Sequence, residues 1–365
     1  MSIEQFSVRG RLADTGEGIT GDELQLAARN HGIPLETLRY DVTPPGLHYV
    51  LVHYDIPATN AATWRLTVDG CVEQPLSFGL TELRAMGRRT VRVTLECAGN
   101  GRASLQPRPI SQPWLTEAVG TAEWTGVLLS DLLRAAGIRE DAKDVVFTGA
   151  DHGVERGVEQ DYQRGLTVDE AIDSGAIVAW EMNGQPLPPQ HGYPLRLVVP
   201  GWYGMASVKW LRSIELIDHT FDGFQNSVAY LIRKVPDDPG TPVTRIEPRA
   251  LLVPPGFPDF MSRTRFVAAG TVPLFGRAWS GWAPIERVEV STDAGVNWHE
   301  AKLDAIGNDD FAWRAFAYDW EATPGEHVLT VRAYDASGRE QPIEAEWNRG
   351  GFANNTAQRI TVLVT

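Results

Sequence analysis

Alternating apolar and polar residues predict short strands through most of the chain. The run TVRVTLEC (90–97) places its apolar side chains at every second position, which is typical of a half-buried strand. Between such runs, apolar spacings of three and four residues predict helices, for example in VLLSDLLRAAGI (127–138). We expect Ser130 or Asp131 to cap this helix and Gly137 to end it. The first part of the chain therefore predicts a mixed α and β unit.

The pattern changes near residue 240. The segment 230–260 is rich in proline and glycine, which is typical of a linker, and beyond it the chain has only short strand-like runs separated by turn residues. This second pattern favours an immunoglobulin-like β-sandwich. The predicted fold class is thus α+β, with a polar, irregular N-terminal extension (1–40), a mixed α/β catalytic domain (41–240) and the sandwich (241–365).

Composition and charge exclude several classes of partner. The chain has 365 residues, of which 43% are hydrophobic, but no apolar run approaches the roughly 20 residues of a membrane-spanning helix. The formal net charge of −14 argues against a general nucleic-acid or anionic-membrane surface. The N-terminus shows no signal-peptide pattern, so a cytoplasmic location is expected.

The chain has two cysteines, Cys71 and Cys97, and we expect both thiols to be free. Strand alternation places Cys97 on the same face as Val93 and Leu95, which alone would make it a small buried hydrophobe. The residues that follow it are unusual for such a position. A Gly-Asn-Gly turn ends in Arg102, a combination that can stabilise a thiolate or a phosphate.

Three chemistries were considered for this thiol. A cysteine phosphatase is set aside, because its loop needs one residue more than the four that separate Cys97 from Arg102. A Cys-His nucleophile for acyl transfer remains open, with His53, His152 or His191 as the candidate base. A metal site in which a cofactor supplies the other donors also remains open.

Three long motifs resemble the sulfite oxidase family. The runs LECAGNGR (95–102) and AWEMNGQPLPPQHGYPLRLVVPGWYGMASVKW (179–210) resemble its molybdenum-cofactor domain. The run WNRGGFANNTAQRI (347–360) is similar to its immunoglobulin-like dimerisation domain. The resemblance implies a molybdenum centre held by a pterin dithiolene, with Cys97 as the single protein ligand to the metal.

The same resemblance implies a pocket for the molybdopterin and its phosphate. His191, Arg196 and Lys209 would supply its polar and cationic groups, and Lys209 is expected inside a strand. The full set of cofactor-binding residues that the resemblance implies is Tyr49, Leu51, Val52, His53, Asp151, His191, Arg196, Ser207, Val208 and Lys209.

The substrate side departs from the family pattern. Leu51 stands where the family has the arginine of an Arg-Asn-His segment, and Gly101 stands where many relatives have arginine. Leucine cannot make a charge-assisted hydrogen bond to an oxyanion, which argues against sulfite as the substrate. Tyr162 and Arg102 are the residues expected on the substrate side. His152, Arg156 and Arg164 are the nearby residues that could take the place of the missing arginine.

The predicted function is two-electron oxygen-atom transfer on a small sulfur or nitrogen oxo compound. The resemblance implies a homodimer, and because residues 1–40 show no haem domain, an external electron acceptor or donor is expected. The alternative is a cofactor-free interaction protein that binds a partner through its sandwich. The cations Arg196 and Lys209, which such a protein does not need, favour the enzyme.

Overall fold

The structure is a computed structural model that describes residues 2–307 and 309–365. No α-helix in these ranges has the length and apolar character that a membrane crossing requires. The α-helices are α1 (Gly21–Arg29), α2 (Leu80–Met86), α3 (Leu129–Ala136) and α4 (Val168–Asp173). Single turns of 3₁₀ helix lie at Ile3–Gln5, Leu35–Arg39, Pro45–Leu47, Arg102–Ser104, Pro189–His191 and Gly204–Ala206, and a π turn lies at Gln225–Ala229.

Two larger sheets and a separate two-stranded ribbon make up the first part of the chain. Their strands are β1 (Leu66–Gly70), β2 (Leu76–Phe78), β3 (Arg89–Glu96), β4 (Val119–Leu128), β5 (Asp144–Glu155), β6 (Val158–Thr167), β7 (Ile177–Met182), β8 (Gln185–Pro186), β9 (Arg196–Val198), β10 (Leu211–Ile217), β11 (Leu231–Ile232) and β12 (Thr241–Pro242). One sheet has the order β2-β1-β10-β5-β6, with β1 and β10 parallel. The other has the antiparallel order β3-β4-β7-β8, and β9 also pairs with β7. Strands β11 and β12 form the ribbon.

Helix α3 confirms its predicted position but not its predicted cap. Its buried side chains fall on one face, as the apolar spacing requires, and Gly137 ends it with a positive φ of 72°. Strand β4 runs directly into the helix, so the N-cap position falls to Leu128, which makes no side-chain capping bond. The expectation that Ser130 or Asp131 caps this helix was therefore wrong.

The N-terminal extension is ordered, contrary to the irregular structure expected from its polarity. Helix α1 begins with a capping box in which Thr20 and Glu23 exchange hydrogen bonds, a pattern that the sequence TGDE (20–23) carries. Glu23 is fully buried and accepts a hydrogen bond of 2.9 Å from Arg108 Nε. Helix α1 is therefore attached to the rest of the chain by a buried ion pair, and not by a stripe of apolar side chains.

The same extension supports a strand-like segment of the catalytic domain. His31 and Val50 form a β-bridge, in which each backbone N–H donates to the other residue's carbonyl. Asn30 Oδ1 accepts a 2.8 Å hydrogen bond from the backbone N–H of Val52. These contacts fix the chain immediately before His53.

The C-terminal part is a β-sandwich, as predicted. Its strands are β13 (Arg249–Leu252), β14 (Phe257–Pro258), β15 (Arg265–Val267), β16 (Gly270–Trp279), β17 (Ile285–Ser291), β18 (His299–Glu300), β19 (Lys302–Leu303), β20 (Arg314–Ala322), β21 (Gly325–Asp335) and β22 (Arg359–Val364). The sheets have the orders β13-β16-β20-β19 and β14-β15-β22-β21-β17-β18. Alternate residues of both sheets, such as Val288 and Val290 of one and Ala250 and Leu252 of the other, are buried between them.

The two parts meet through shared buried residues. Trp279 and Trp313 of the sandwich belong to the same apolar cluster as the core of the first sheet. Arg277 donates to the carbonyl of Leu38 (2.8 Å) and pairs with Asp41 (2.8 Å). The C-terminal part therefore makes buried apolar and hydrogen-bonded contacts with the other domain.

Candidate active site

One cleft brings most of the predicted site residues together, with about 620 Å³ of empty space that includes its open mouth. It lies where β3 ends, between the Tyr49–His53 segment and the chain around β9 and β10. The predicted residues that line it are Tyr49, Leu51, His53, Cys97, Asp151, Tyr162, His191, Arg196, Ser207 and Lys209. The lining residues that the sequence analysis missed are His48, Val50, Leu95, Ala98, Gln190, Gly204, Met205 and Tyr230.

Cys97 follows the last residue of β3 and is 6% exposed. Its N–H donates to Ala118 O (2.9 Å), and its carbonyl accepts from Asn100 N (2.9 Å), which closes a tight turn. Gly101 completes that turn with φ of +92°, a conformation that favours glycine. Burial raises the pKa of the Cys97 thiol, so binding of a metal there would be coupled to release of the proton.

The cleft contains buried positive charge. Lys209 Nζ donates to the carbonyls of Leu51 (2.7 Å) and Gln190 (3.2 Å). Arg196 donates to the carbonyls of His191 (3.1 Å) and Ser207 (3.2 Å). Burial lowers the pKa of Lys209 and lowers that of Arg196 to about 10. Within the described ranges neither cation forms a salt bridge, although the Asp151 carboxylate acts electrostatically on Lys209. One carboxylate cannot balance two cations, so an anionic ligand would stabilise both.

Several buried polar atoms that belong to lining residues of the cleft have no protein partner. Among the described residues, no hydrogen-bond partner reaches Nε2 of His48, Nε2 of His191 or Oδ1 of Asp151. Burial lowers the pKa of His191 to about 2 and that of His48 to about 4, so both rings are neutral. Burial raises the pKa of Asp151. Unsatisfied buried donors and acceptors next to fixed cations fit a polar, phosphate-bearing ligand such as a pterin.

Two tyrosines and a histidine form the opposite wall. His53 Nε2 lies 2.7 Å from the hydroxyl of Tyr230, and the His53 ring packs on Tyr162 with 4.7 Å between centroids. The Tyr162 hydroxyl donates to Met205 O (2.8 Å). Burial lowers the pKa of His53 to about 3, so the ring is neutral and can accept a hydrogen bond from the Tyr230 hydroxyl. No local sequence pattern singles out Tyr230, which only the tertiary fold brings to His53.

Three predicted site residues lie outside the lining. Arg102 donates to the carbonyl of Gly350 (2.8 Å) and packs over the Phe352 ring at 5.1 Å. These contacts with the C-terminal part hold its side chain outside the lining of the cleft. Val52 and Val208 pack in apolar clusters. Lys209 precedes β10 rather than lying inside a strand, because that strand begins at Leu211.

None of the three substitutes considered for the missing arginine lines the cleft either. His152 is exposed and contacts Asp161 (3.0 Å). Arg156 is an exposed residue of the turn between β5 and β6. Arg164 is buried behind Tyr230 and donates to Gln225 O (2.6 Å). The wall at Leu51 is therefore apolar on the substrate side.

Comparison with known proteins identifies the family. The model for an oxidoreductase molybdopterin binding domain matches residues 53–225, and the model for a Mo-co oxidoreductase dimerisation domain matches residues 258–365. Mitochondrial sulfite oxidase of Homo sapiens is 32% identical over 348 residues, 89% of this chain and 62% of that protein. NADH nitrate reductase 1 of Arabidopsis thaliana is 30% identical over 366 residues, 91% of this chain and 39% of that protein.

The fold agrees with a solved structure. The sulfane dehydrogenase SoxCD of Paracoccus pantotrophus superposes with a TM-score of 0.80 at 25% identity, over 98% of this chain and 90% of that one. The chain belongs to the sulfite oxidase family of molybdopterin-binding oxidoreductases. It spans less than two thirds of the length of the sulfite oxidases and nitrate reductases that it matches.

The buried cations give a first prediction. Lys209→Met should weaken retention of the molybdopterin by about tenfold to a hundredfold, because it removes one charge-assisted contact to an anion. The measurement is pterin fluorescence and molybdenum content after gel filtration. The control is Lys234→Met, which removes an exposed lysine paired only with Glu346. Equal retention by the two variants would contradict the assignment.

Proposed function

We propose that the chain catalyses two-electron oxygen-atom transfer on a small sulfur or nitrogen oxo compound. The observation that carries the proposal is the buried Cys97 thiol in a cleft whose walls hold Lys209 and Arg196 without a salt bridge in the described residues. The bound molybdenum-molybdopterin would supply the redox chemistry and the transferable oxo group. The protein's part is to hold that cofactor, orient the substrate and exclude water.

Each wall of the cleft has a separate task in this proposal. Cys97 is the protein ligand to the metal, and Arg196, Lys209 and the neighbouring unsatisfied polar atoms hold the pterin. On the substrate side the neutral ring of His53 accepts the hydrogen bond of Tyr230. This pair can hold a proton at the Tyr230 hydroxyl, next to the substrate. Tyr162 supports it by packing on the His53 ring.

The substrate side favours a neutral oxo compound over an oxyanion. Leu51 lines the cleft where the family's arginine would stand, and Arg102, His152, Arg156 and Arg164 all lie outside the lining. The nearest cations, Lys209 and Arg196, are the ones assigned to the pterin. Sulfoxides and N-oxides are therefore preferred candidates over sulfite.

The central test compares two cysteine variants. Cys97→Ser should fold with the wild-type melting temperature and lose activity by more than about a hundredfold, because the metal loses its protein ligand. The matched control is Cys71→Ser, which removes the other free thiol. Activity is measured on protein expressed with molybdate, against sulfite and a panel of S- and N-oxides. Wild-type protein that takes up no molybdenum in a competent host would favour the interaction-protein alternative.

Substrate charge is tested at position 51. Leu51→Arg should lower the KM for sulfite by about tenfold to a hundredfold, the range expected for one new charge-assisted hydrogen bond. Turnover of neutral oxo compounds should fall, because the guanidinium occupies their apolar wall. Leu51→Met keeps the wall apolar and should leave both activities near wild type. An unchanged sulfite KM in the arginine variant would refute the neutral-substrate assignment.

The enzyme is proposed to act as a homodimer with an external electron acceptor or donor. The hairpin formed by β14 and β15 presents Phe257, Phe260 and Met261 with 68%, 85% and 83% of their surfaces exposed. At its tip, Asp259 Oδ2 accepts hydrogen bonds from two backbone N–H groups and so closes the turn. An apolar groove with about 910 Å³ of empty space, which includes its open mouth, lies beside it. It is lined by Arg39, Val253, Pro254, Pro255, Gly256, Val272, Pro273 and Phe275.

A second copy of the chain is the proposed occupant of this surface. The dimerisation-domain match begins at residue 258, inside the hairpin. A hairpin tip beside a groove suits a two-fold interface, because each copy then contributes one tip and one groove. Phe260→Asp with Met261→Asp should therefore yield a monomer in analytical ultracentrifugation. Val296→Asp, at an equally exposed apolar residue (77%) of the sandwich, should leave the dimer intact. A dimer that survives the double substitution would place the interface elsewhere.

A further inference from the structure

A buried carboxylate adjoins the candidate metal ligand. Glu96 precedes Cys97 in the chain and is 1% exposed. Because side chains alternate along a strand, Glu96 points away from the cleft and towards the C-terminal part. Its Oε2 accepts a 2.8 Å hydrogen bond from Trp279 Nε1, and its Oε1 lies 3.2 Å from Arg249 Nε. The C-terminal part therefore holds the residue next to the thiol.

The carboxylate also closes the turn that carries the thiol. Asn100 Nδ2 donates to Glu96 Oε1 (3.0 Å), and Asn100 Oδ1 accepts from the N–H of Ala118 (3.1 Å). The carbonyl of Ala118 in turn accepts from the N–H of Cys97 (2.9 Å). Glu96, Asn100 and Ala118 thus form a closed set of hydrogen bonds around the backbone of Cys97.

The far end of the turn is tied to the same arginine. Arg249, itself 1% exposed, donates through Nη2 to the carbonyl of Asn354. Asn354 Nδ2 then donates to Gly101 O (2.7 Å). Residues 96 and 101, on either side of Cys97, are both attached to one buried cation of the sandwich.

Stability alone does not account for this ion pair. Burying two charges costs desolvation energy, and well-packed apolar residues of similar volume often serve a fold equally well or better. None of Glu96, Arg249 and Trp279 lines the cleft, so none contacts the cofactor or substrate. What the buried carboxylate provides is fixed hydrogen-bond directions at the turn, because it accepts from Asn100 and from Trp279.

We propose that Glu96 is a positioning residue that, with Arg249 and Trp279, sets the direction of the Cys97 thiol. The C-terminal part then does more than dimerise, because it fixes the geometry of the metal ligand in the other domain. The inference rests on the proposed function only where it treats Cys97 as that ligand. The positioning itself is testable without any metal.

The first test measures thiol exposure in cofactor-free protein. Glu96→Gln keeps the size of the side chain but turns one acceptor into an N–H donor that faces other donors. Alkylation of Cys97 by iodoacetamide, measured against the free Cys71 in the same chain, should become about tenfold faster, the factor that corresponds to one net hydrogen bond lost from the closed turn. The control is Glu23→Gln, which breaks the buried pair with Arg108 and should leave the ratio of the two rates unchanged.

A second variant separates positioning from stability. Glu96→Leu combined with Arg249→Met replaces the pair by apolar side chains and should keep the melting temperature near wild type. Faster Cys97 alkylation in this stable variant supports the proposal. A wild-type ratio of alkylation rates in both Glu96 variants would overturn it.

A spectroscopic readout then links the turn to the metal. At equal molybdenum content, the Mo(V) electron paramagnetic resonance signal of Glu96→Gln should shift in g values, whereas that of Glu23→Gln should match wild type. Identical spectra for the two variants would refute an effect on the ligand. If wild-type protein binds no molybdenum, the proposed function fails, while the alkylation test still decides whether Glu96 positions the thiol.

Discussion

The cleft depends on positive charge that is buried without a salt bridge. Lys209 and Arg196 are held by backbone carbonyls, which satisfy their hydrogen bonds. The Asp151 carboxylate acts electrostatically on Lys209, but one carboxylate cannot balance two cations. Burying cations in this way is costly unless a further anion completes the site, and a bound group that carries phosphate, as proposed for the pterin, would complete it.

The Cys97 thiol is the second important group of the cleft. It is positioned by a different part of the chain from the one that carries the two cations. Strand β3 brings Cys97 to the cleft, whereas the turn after it is held from the sandwich through Glu96 and Asn354. The cations come from the chain around β9 and β10. The proposed metal ligand and the proposed pterin pocket are thus supported by separate elements, and the pocket is tied to the backbone of Leu51 through Lys209.

Local signals in the sequence predicted the strands, helix α3, the sandwich and the residues that match family motifs. Cys97 was found because strand alternation, a glycine turn and a motif coincide there. Tyr230 and the Glu96 contacts were not found, since each depends on residues more than 100 positions away in the chain. Arg102 was predicted on the substrate side because it follows the thiol closely in the chain. Its side chain lies outside the lining instead, because contacts with Gly350 and Phe352 decide its direction.

Helix α1 and its neighbours precede the segment that matches the family model, yet Asn30 and His31 hold the backbone of Val50 and Val52 beside the cleft. The wall that carries Leu51 is thus shaped by residues that a definition of the domain from sequence similarity omits. A domain shortened at residue 53 would keep Cys97, Arg196 and Lys209 but lose Leu51 together with the residues that hold its backbone in place.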